Sequence, residues 1–470
     1  MDEPACPGCR QRDVRIAQLE RRDAELEATV RDLLNRLNTT AANSSLPPSA
    51  NPLGAAKPVV KKKSRRRRGG QPGHPPYLKE LLPPERVRQT HRFVPECCEH
   101  CHAALPAAAS PADPAPLRFQ VVELPPLAAI VTEYQGHART CPGCGHLTRA
   151  AIPAAVRAHG VGPRLSAALS YLTGCHGLSK RAVEEIAGAL FDAPVALGTV
   201  ANLEREMSAA LAPAHAEALA AVRQADVKHA DETSWKLAGG LRWLWAAATA
   251  QVAVFLVHAR RSGAALAALL GERVQGIVCS DRWGVYNGVP ARQRQLCWAH
   301  LKRDFQKIVE RGGADAFVGV RGRRLARDLF RAWHLFRGGG CTRAELQSRL
   351  EPVQNRLQRL LLEGALSGTD STVVEFCENV LALEDALWTF ATVEGVEPTN
   401  NHMERLLRRA VLWRKRSFGS ASEAGCHFVE RALTAVQTLR LQGRDVLDFL
   451  HQSLQAHRAG LPGPQLVLNG

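Results

Sequence analysis

Three acids far apart in the chain carry the chemistry that the rest of the sequence has to position. Asp231 ends the apolar run Val227–Asp231, Asp281 follows the run Gly276–Ser280, and Glu404 opens a helical segment behind Thr399 and Asn400. Carboxylates brought together from separate elements suit two hard divalent cations, Mg2+ or Mn2+, about 3.5–4 Å apart. One ion activates an attacking water or 3′-hydroxyl, and the other stabilises the leaving oxygen of a phosphodiester. Each acid alone also has a plain structural reading. Asp281 could cap a strand end, and Glu404 could pair with Arg408 one turn on, worth only ~0.3–0.5 kcal/mol.

Around these acids stand residues suited to a polyanionic substrate. His300 and Arg303 follow the strand candidate Gln293–Trp298 and could contact a scissile phosphate or the flanking strand. A satisfied core histidine is the alternative for His300, and Trp298 reads as core more readily than as a stacking platform. Arg405 and Arg408 share the Glu404 helix with Arg409, and Arg414, Lys415 and Arg416 follow as a further basic track.

A second chemistry lies in the cysteines. Of thirteen, six form C-x-x-C pairs: Cys6/Cys9, Cys98/Cys101 and Cys141/Cys144. Two knuckles joined by about forty residues suit a tetrahedral structural Zn2+ held by Cys98, Cys101, Cys141 and Cys144. The strand-like runs Phe119–Leu124 and Ile130–His137 between them predict a small zinc ribbon. Cys97 competes with Cys98 as first ligand, and His100 or His102 could compete as well. Cys6 and Cys9 lack a second half within the chain, so incidental turn cysteines and a site completed by a dimer partner both stay open. The scattered cysteines, among them Cys175, Cys279 and Cys297, read as small buried hydrophobes.

The elements that must hold these groups are legible in outline. With 470 residues, 45% of them hydrophobic and 23% charged, the chain is globular, with material for about three domains. The amino terminus carries no secretory core, and Leu241–Val257 is interrupted by Arg242 and Gln251. A membrane role is therefore not expected, and the reading is cytoplasmic. A net charge of +16 calls for a polyanion. Most of it is local. Lys57–Arg68 holds eight basic residues and no acid, and Glu404–Arg416 holds six against one.

The fold class expected is multidomain α+β. Residues 1–40 read as a coiled coil, with Ile16, Val30 and Leu37 at one seam position and Leu19, Leu26 and Leu33 at the other, interrupted by Asp23. That predicts a homodimer or higher oligomer. Residues 41–75 form a flexible basic linker whose Lys61, Lys62, Lys63, Arg65, Arg66, Arg67 and Arg68 would bind phosphates. Residues 76–150 form the zinc-binding DNA-contact module. Residues 160–222 predict three short helices of helix-turn-helix type, broken at Gly174–Gly177 and capped by Ser179 and Thr199. Residues 223–312 and 398–420 show three strands in series, turned first at Gly239-Gly240, then a helix and a parallel strand. That is the order of an RNase H-like core. Residues 313–397 are a helical insertion, and 421–470 a helical tail.

Several local strings share this order with one known family. They are Arg68-Gly69-Gly70-Gln71-Pro72-Gly73-His74, the paired knuckles, Leu178-Ser179-Lys180-Arg181 and Asp231-Glu232-Thr233-Ser234-Trp235. Ser280-Asp281-Arg282-Trp283, Cys297-Trp298-Ala299-His300 and Asn400-Asn401-His402-Met403-Glu404-Arg405 follow. Through them the chain resembles an IS66-family transposase along most of its length. The resemblance implies that Asp231, Asp281 and Glu404 are the acids of a DDE site holding two Mg2+ or Mn2+. It further implies cleavage at the ends of an insertion sequence and joining to target DNA, with companion proteins of the same element as partners. Two other readings stand beside it. One is a non-catalytic, zinc-containing dimeric DNA-binding regulator; the other is a structure-specific nuclease of the same fold.

Overall fold

The computed structural model describes residues 80–108 and 110–468, together with Ile16, Gln18, Leu19, Arg22 and Leu26. The basic linker with Lys61–Lys63 and Arg65–Arg68, the Cys6/Cys9 pair and the rest of the heptad segment lie outside the described residues. Ile16, Leu19 and Leu26 are helical and about half exposed. The chain divides into two compact units, one of Pro58–Ala128 and one of Met1–Lys57 with Ala129–Gly470. That boundary falls inside the segment 76–150, with one cysteine knuckle on either side of it.

The expected strands between the knuckles do not form. Phe119–Leu124 and Ile130–His137 join no ladder, and Phe119 and Ile130 are 89% and 97% exposed. Alternating apolar residues become a strand only where a neighbouring edge and a surface are present to receive them. The ladder found here is β1 (Ala138–Thr140) against β2 (Leu147–Arg149), which only serves to close the second knuckle.

The helical region follows the expected order with two shifts. A short α1 (Ala154–Ala158) leads into α2 (Pro163–His176), which runs straight through Gly174 and ends where Gly177 turns left-handed at φ 63°. A side chain on Gly174 would press on Ala432 at 3.0 Å, so that glycine serves packing rather than breakage. Ser179 does cap α3 (Lys180–Phe191), accepting from the Ala182 amide at 3.2 Å. Thr199 caps nothing. It sits in the first turn of α4 (Leu197–Ala210), whose N-cap position is Ala196. Helix α4 buries Val200, Leu203 and Met207, and its two acids are neutralised, Glu204 by Lys180 and Glu206 by Arg458. A further helix, α5 (Ala212–Gln224), then delivers the chain to the sheet.

Strands β3 (Val227–Leu237), β4 (Gly240–Ala248) and β5 (Ala253–His258) form an antiparallel series. The first turn is Ala238-Gly239, both with positive φ, the form that matches the twist of a two-residue hairpin. Helix α6 (Gly263–Leu270) crosses to β6 (Ile277–Ser280), which lies parallel to β3, and β7 (Arg294–Leu296) extends that edge. The sheet order is therefore β5-β4-β3-β6-β7.

Alternation divides the sheet into two buried faces. Trp235, Leu244, Ala246 and Ala248 pack on α12 (Asn401–Ser417) and α13 (Glu423–Leu441). Ala230, Trp245 and Ala247 face α5 and α6. A last helix, α14 (Val446–Ala459), closes this second core.

Between β7 and α12 the expected insertion is helical. Helix α7 (Trp298–Arg311) packs with α8 (Ala316–Arg337), α9 (Arg343–Ser367) and α10 (Ser371–Leu381). Their core includes Cys279 and Leu296 of the sheet, so the insertion is fused to the sheet edge. Among the described residues no helix is long and apolar enough to cross a membrane.

One buried charge in β3 predicts a pH dependence. Lys228 is fully buried, and its ammonium donates to the Arg223 carbonyl at 2.7 Å. Burial pushes its pKa down to about 8, opposed only by the charge of Asp226. Above about pH 8 the folded chain has released a proton that an unfolded lysine still holds, so stability rises with pH up to the ordinary lysine value. Urea midpoints between pH 7 and 10 should therefore rise in wild type relative to Lys228→Met. Parallel profiles would contradict this.

Candidate active site

Strand register places the two aspartates level. The parallel pairing of β3 with β6 ends at His229 opposite Cys279, and Asp231 and Asp281 each follow two residues later. Asp281 lies one residue beyond β6, so the two acids emerge at the same level of the sheet. Asp231 does not end its strand, however. β3 continues six residues further because β4 keeps pairing with it, and Asp231 lies opposite Ala246. What ends at this level is the pairing with β6, which leaves an opening beside Asp231. Ala246 belongs to the face covered by α12, so Asp231 looks toward the helix that carries Glu404.

The carboxylates are held by main-chain amides. The Glu232 amide donates to Asp231 Oδ1 at 2.8 Å, and the Trp283 amide donates to Asp281 Oδ1 at 3.0 Å. Each aspartate thus has one oxygen fixed and the other free to face the opening. Burial raises the Asp231 carboxyl well above the ordinary range, and the charges of Glu232, Asp281 and Glu404 raise it further. Asp281 and Glu404 are therefore close enough to be felt at Asp231 in this fold.

Glu404 does not pair with Arg408. Its Oε1 lies 3.7 Å from His300 Nδ1 and 3.6 Å from an Arg303 nitrogen, beyond hydrogen-bond reach of either. Both Glu404 Oε1 and His300 Nδ1 are buried atoms without a hydrogen-bond partner. Burial lowers the His300 pKa, and the Arg303 charge adds to that. Hence His300 is a neutral imidazole at the edge of the site and no satisfied core histidine. Cys297 Sγ, His300 Nδ1 and a Glu404 oxygen lie within 4.8 Å of one another. Glu404 thus offers an unpartnered buried carboxylate oxygen of the kind a hard divalent cation takes, while among the described residues Asp231 and Asp281 do not come within that same 4.8 Å of it as a group.

The residue that brings Glu404 here is Asn400, only 1% exposed. It occupies the N-cap position of α12, but its side chain caps nothing. Instead Nδ2 donates to the Ala230 carbonyl at 2.8 Å, and Oδ1 accepts from His229 Nδ1 at 3.0 Å. Its main-chain amide donates to Cys297 Sγ at 3.2 Å, and its carbonyl accepts from the Glu404 amide at 3.2 Å. Burial pushes the His229 pKa down to about 4, so the ring is neutral and its Nδ1 carries the proton. One asparagine therefore ties β3, the start of α7 and the Glu404 turn of α12 together.

Glu232, next to Asp231, points to the opposite face and does other work. Its side chain is 1% exposed, accepting from Arg261 at 2.9 Å and from the Tyr286 hydroxyl at 2.8 Å. Arg261 lies 3.7 Å above the Trp283 ring. Buried Arg294 donates to the Asp281 carbonyl at 3.2 Å and to Asn287 at 3.0 Å. Burial lowers its pKa to about 10, so it remains charged at neutral pH. These residues brace the loop that carries Asp281. Trp298 is core, fully buried with its indole donating to the Leu387 carbonyl at 2.9 Å.

The basic track on α12 is only partly available. Arg409 donates to the Cys175 carbonyl, Arg416 to the His176 carbonyl, and Arg414 to Thr233 and Ser234. Those three tie α12 to neighbouring elements. Arg405 and Arg408 are exposed.

Each cysteine knuckle is well formed within its own unit. The Cys98 thiol is lowered by the amides of Cys101 and His100 and by a hydrogen bond with the Cys101 side chain. The Cys141 thiol is lowered in the same way by the amides of Gly143 and Cys144.

The family described as "Transposase IS66 family" matches residues 160–427, more than half of the chain. The chain belongs to that family. The match contains the sheet, the insertion and all three acids, while both knuckles precede it. The chain is also 30% identical over 178 residues to an uncharacterized protein, y4qI, of Sinorhizobium fredii. The aligned stretch covers 36% of this chain and 32% of that protein, about a third of its length.

Replacing Asn400 by Ala would leave the Ala230 carbonyl and the His229 ring nitrogen buried without partners. At about 1–3 kcal/mol for each orphaned group, the urea midpoint should fall clearly. The exposed neighbour Asn401→Ala should stay within about 0.5 kcal/mol of wild type. Equal effects of the two substitutions would remove Asn400 from its bridging role.

Proposed function

We propose that this chain is a DNA transposase that cleaves insertion-sequence ends and joins them to target DNA through Asp231, Asp281 and Glu404. The observation that carries the reading is the buried, unpartnered oxygen of Glu404, whose charge together with that of Asp281 is felt at Asp231. The antiparallel series followed by two parallel strands supports an RNase H-like core.

The three acids would hold two Mg2+ or Mn2+, which when bound supply activation of the attacking oxygen and charge stabilisation at the leaving one. The protein's own part is orientation. Main-chain amides fix one oxygen of each aspartate, Asn400 sets the height of Glu404, and the Glu232–Arg261–Trp283 brace holds the Asp281 loop. Arg303 and neutral His300 stand where a phosphate approaching Glu404 would meet a cation and a ring nitrogen. Exposed Arg405 and Arg408 would contact the flanking backbone. Water first breaks a phosphodiester, leaving a free 3′-hydroxyl. That hydroxyl then attacks a target phosphodiester and displaces a target 3′-oxygen, which takes up a proton from solvent. One ester is exchanged for another, with no redox change.

Incubating the full chain with terminal-repeat duplexes, a target duplex and Mg2+ should give cleaved and joined products. Asp231→Ala should give neither while still binding DNA. Cleavage without joining would indicate a nuclease, and binding without cleavage a regulator; identical products from both proteins would refute the catalytic assignment. We also propose that the Cys98/Cys101 and Cys141/Cys144 knuckles bind structural zinc, supported by the thiol in each whose pKa its neighbouring amides lower. Metal analysis should show that zinc lost from Cys98→Ser/Cys141→Ser; unchanged zinc content would refute it.

A further inference from the structure

We propose that a groove on the helical insertion, between α7 and α8, binds the phosphate backbone of duplex DNA without regard to base sequence. The groove has a volume of about 810 Å³ and is lined by Lys302, Arg323, Arg324, Arg327, Arg331 and His334, with Val320 and Phe330 among them. No acid lines it. Among the described residues Lys302, Arg323, Arg324 and Arg327 have no ion pair or hydrogen bond from their side chains, and Arg331 meets only Asp328, at 3.4 Å.

The contrast within α8 is informative. Arg321 and Arg337, on the same helix but outside the groove, are each neutralised by a glutamate, Glu363 and Glu397. The unpaired cations are gathered on the concave face. Like charges three and four residues apart destabilise a helix, so this face is electrostatically unfavourable in the free chain. It becomes favourable once counter-charge arrives. From Val320 to His334 the face runs roughly 21 Å at 1.5 Å per residue, enough for about six nucleotides of one strand.

The chemistry of the lining selects the partner. Arginine and lysine neutralise phosphates and release their condensed counterions. The groove offers neither Asn nor Gln, the side chains that read adenine edges, and its cations are spread along a helix rather than focused on one pocket. Extended polyanion fits this better than a mononucleotide. The position fits too. Lys302 lies between His300 and Arg303 in sequence, and a turn of about 100° per residue directs it to the groove while those two face Glu404. DNA in the groove would thus lie one helix width from the proposed acids. The proposal builds on the transposase reading by giving the insertion a role, that of holding DNA that flanks the exchanged ester.

Fluorescence anisotropy in metal-free buffer, with a random-sequence 30-base-pair duplex as probe, tests this without any catalytic step. For Arg323→Gln/Arg324→Gln/Arg327→Gln the slope of log K against log salt should shrink by about 2.7, three phosphates at ~0.9 each. Single Arg327→Gln should account for about 0.9 of that. A charge-matched control on exposed α9 positions, Arg349→Gln/Arg356→Gln/Arg359→Gln, should leave the slope unchanged. An unchanged slope in the groove variant, as expected if an acidic protein is the true occupant, would overturn the proposal. So would an equal loss in the control. Failure of cleavage under Mg2+ would bear only on the catalytic reading.

Discussion

A single buried amide side chain sets the geometry on which the site depends. Asn400 uses both ends of its carboxamide, and its own backbone, to join β3, the first residue of the β7–α7 connection and the first turn of α12. Without it, α12 would still be amphipathic and would still cover the sheet through Met403, Leu406 and Leu407. Hydrophobic burial is non-directional, though, and tolerates sliding. Hydrogen bonds to Ala230 and His229 do not. They lock the first turn of α12, and Glu404 with it, against β3 and Cys297, as a supporting shell fixes the group it carries.

The site is built under electrostatic tension. Burial and three neighbouring carboxylates raise the Asp231 carboxyl, and the compensating cations stand back from it. Arg294 supports the Asp281 loop from behind, Arg261 is committed to Glu232, and Arg303 approaches Glu404 without bonding to it. A site that leaves its acids partly uncompensated gives up stability in the free chain and gains affinity for cations. The same logic recurs at the arginine groove of α8, where the missing partner is an anion.

Much of this was legible in advance, for identifiable reasons. The strands and their succession along the chain follow from runs of apolar residues, a local signal that burial on both faces keeps clear, whereas the three acids are singled out by the family resemblance. Ser179 and its cap could be read off because capping is a contact three residues long. What escaped needed distance. Asn400 could be placed at a helix start, but its true partners lie about 170 residues away at Ala230 and His229. Thr199 looked like a cap because nothing local distinguishes an N-cap from a first-turn threonine. The runs Phe119–Leu124 and Ile130–His137 have strand periodicity and no edge to join. Charge arithmetic assigned most of the +16 to two segments and overlooked α8. Net counts cannot show that six arginines on one helix are sorted into paired and unpaired faces.

The proposed convergence of Asp231, Asp281 and Glu404 on one pair of cations can be read out chemically. Fe2+ substituted for Mg2+, with ascorbate and peroxide, generates hydroxyl radicals that cut the chain within a few ångströms of the ion. Fragment mapping of the full chain should show cuts at three separated places, near residues 231, 281 and 404, all suppressed by excess Mg2+ and lost together in Asp231→Ala. Cuts confined to one of these places, or cuts near 281 and 404 that persist in Asp231→Ala, would contradict a shared site.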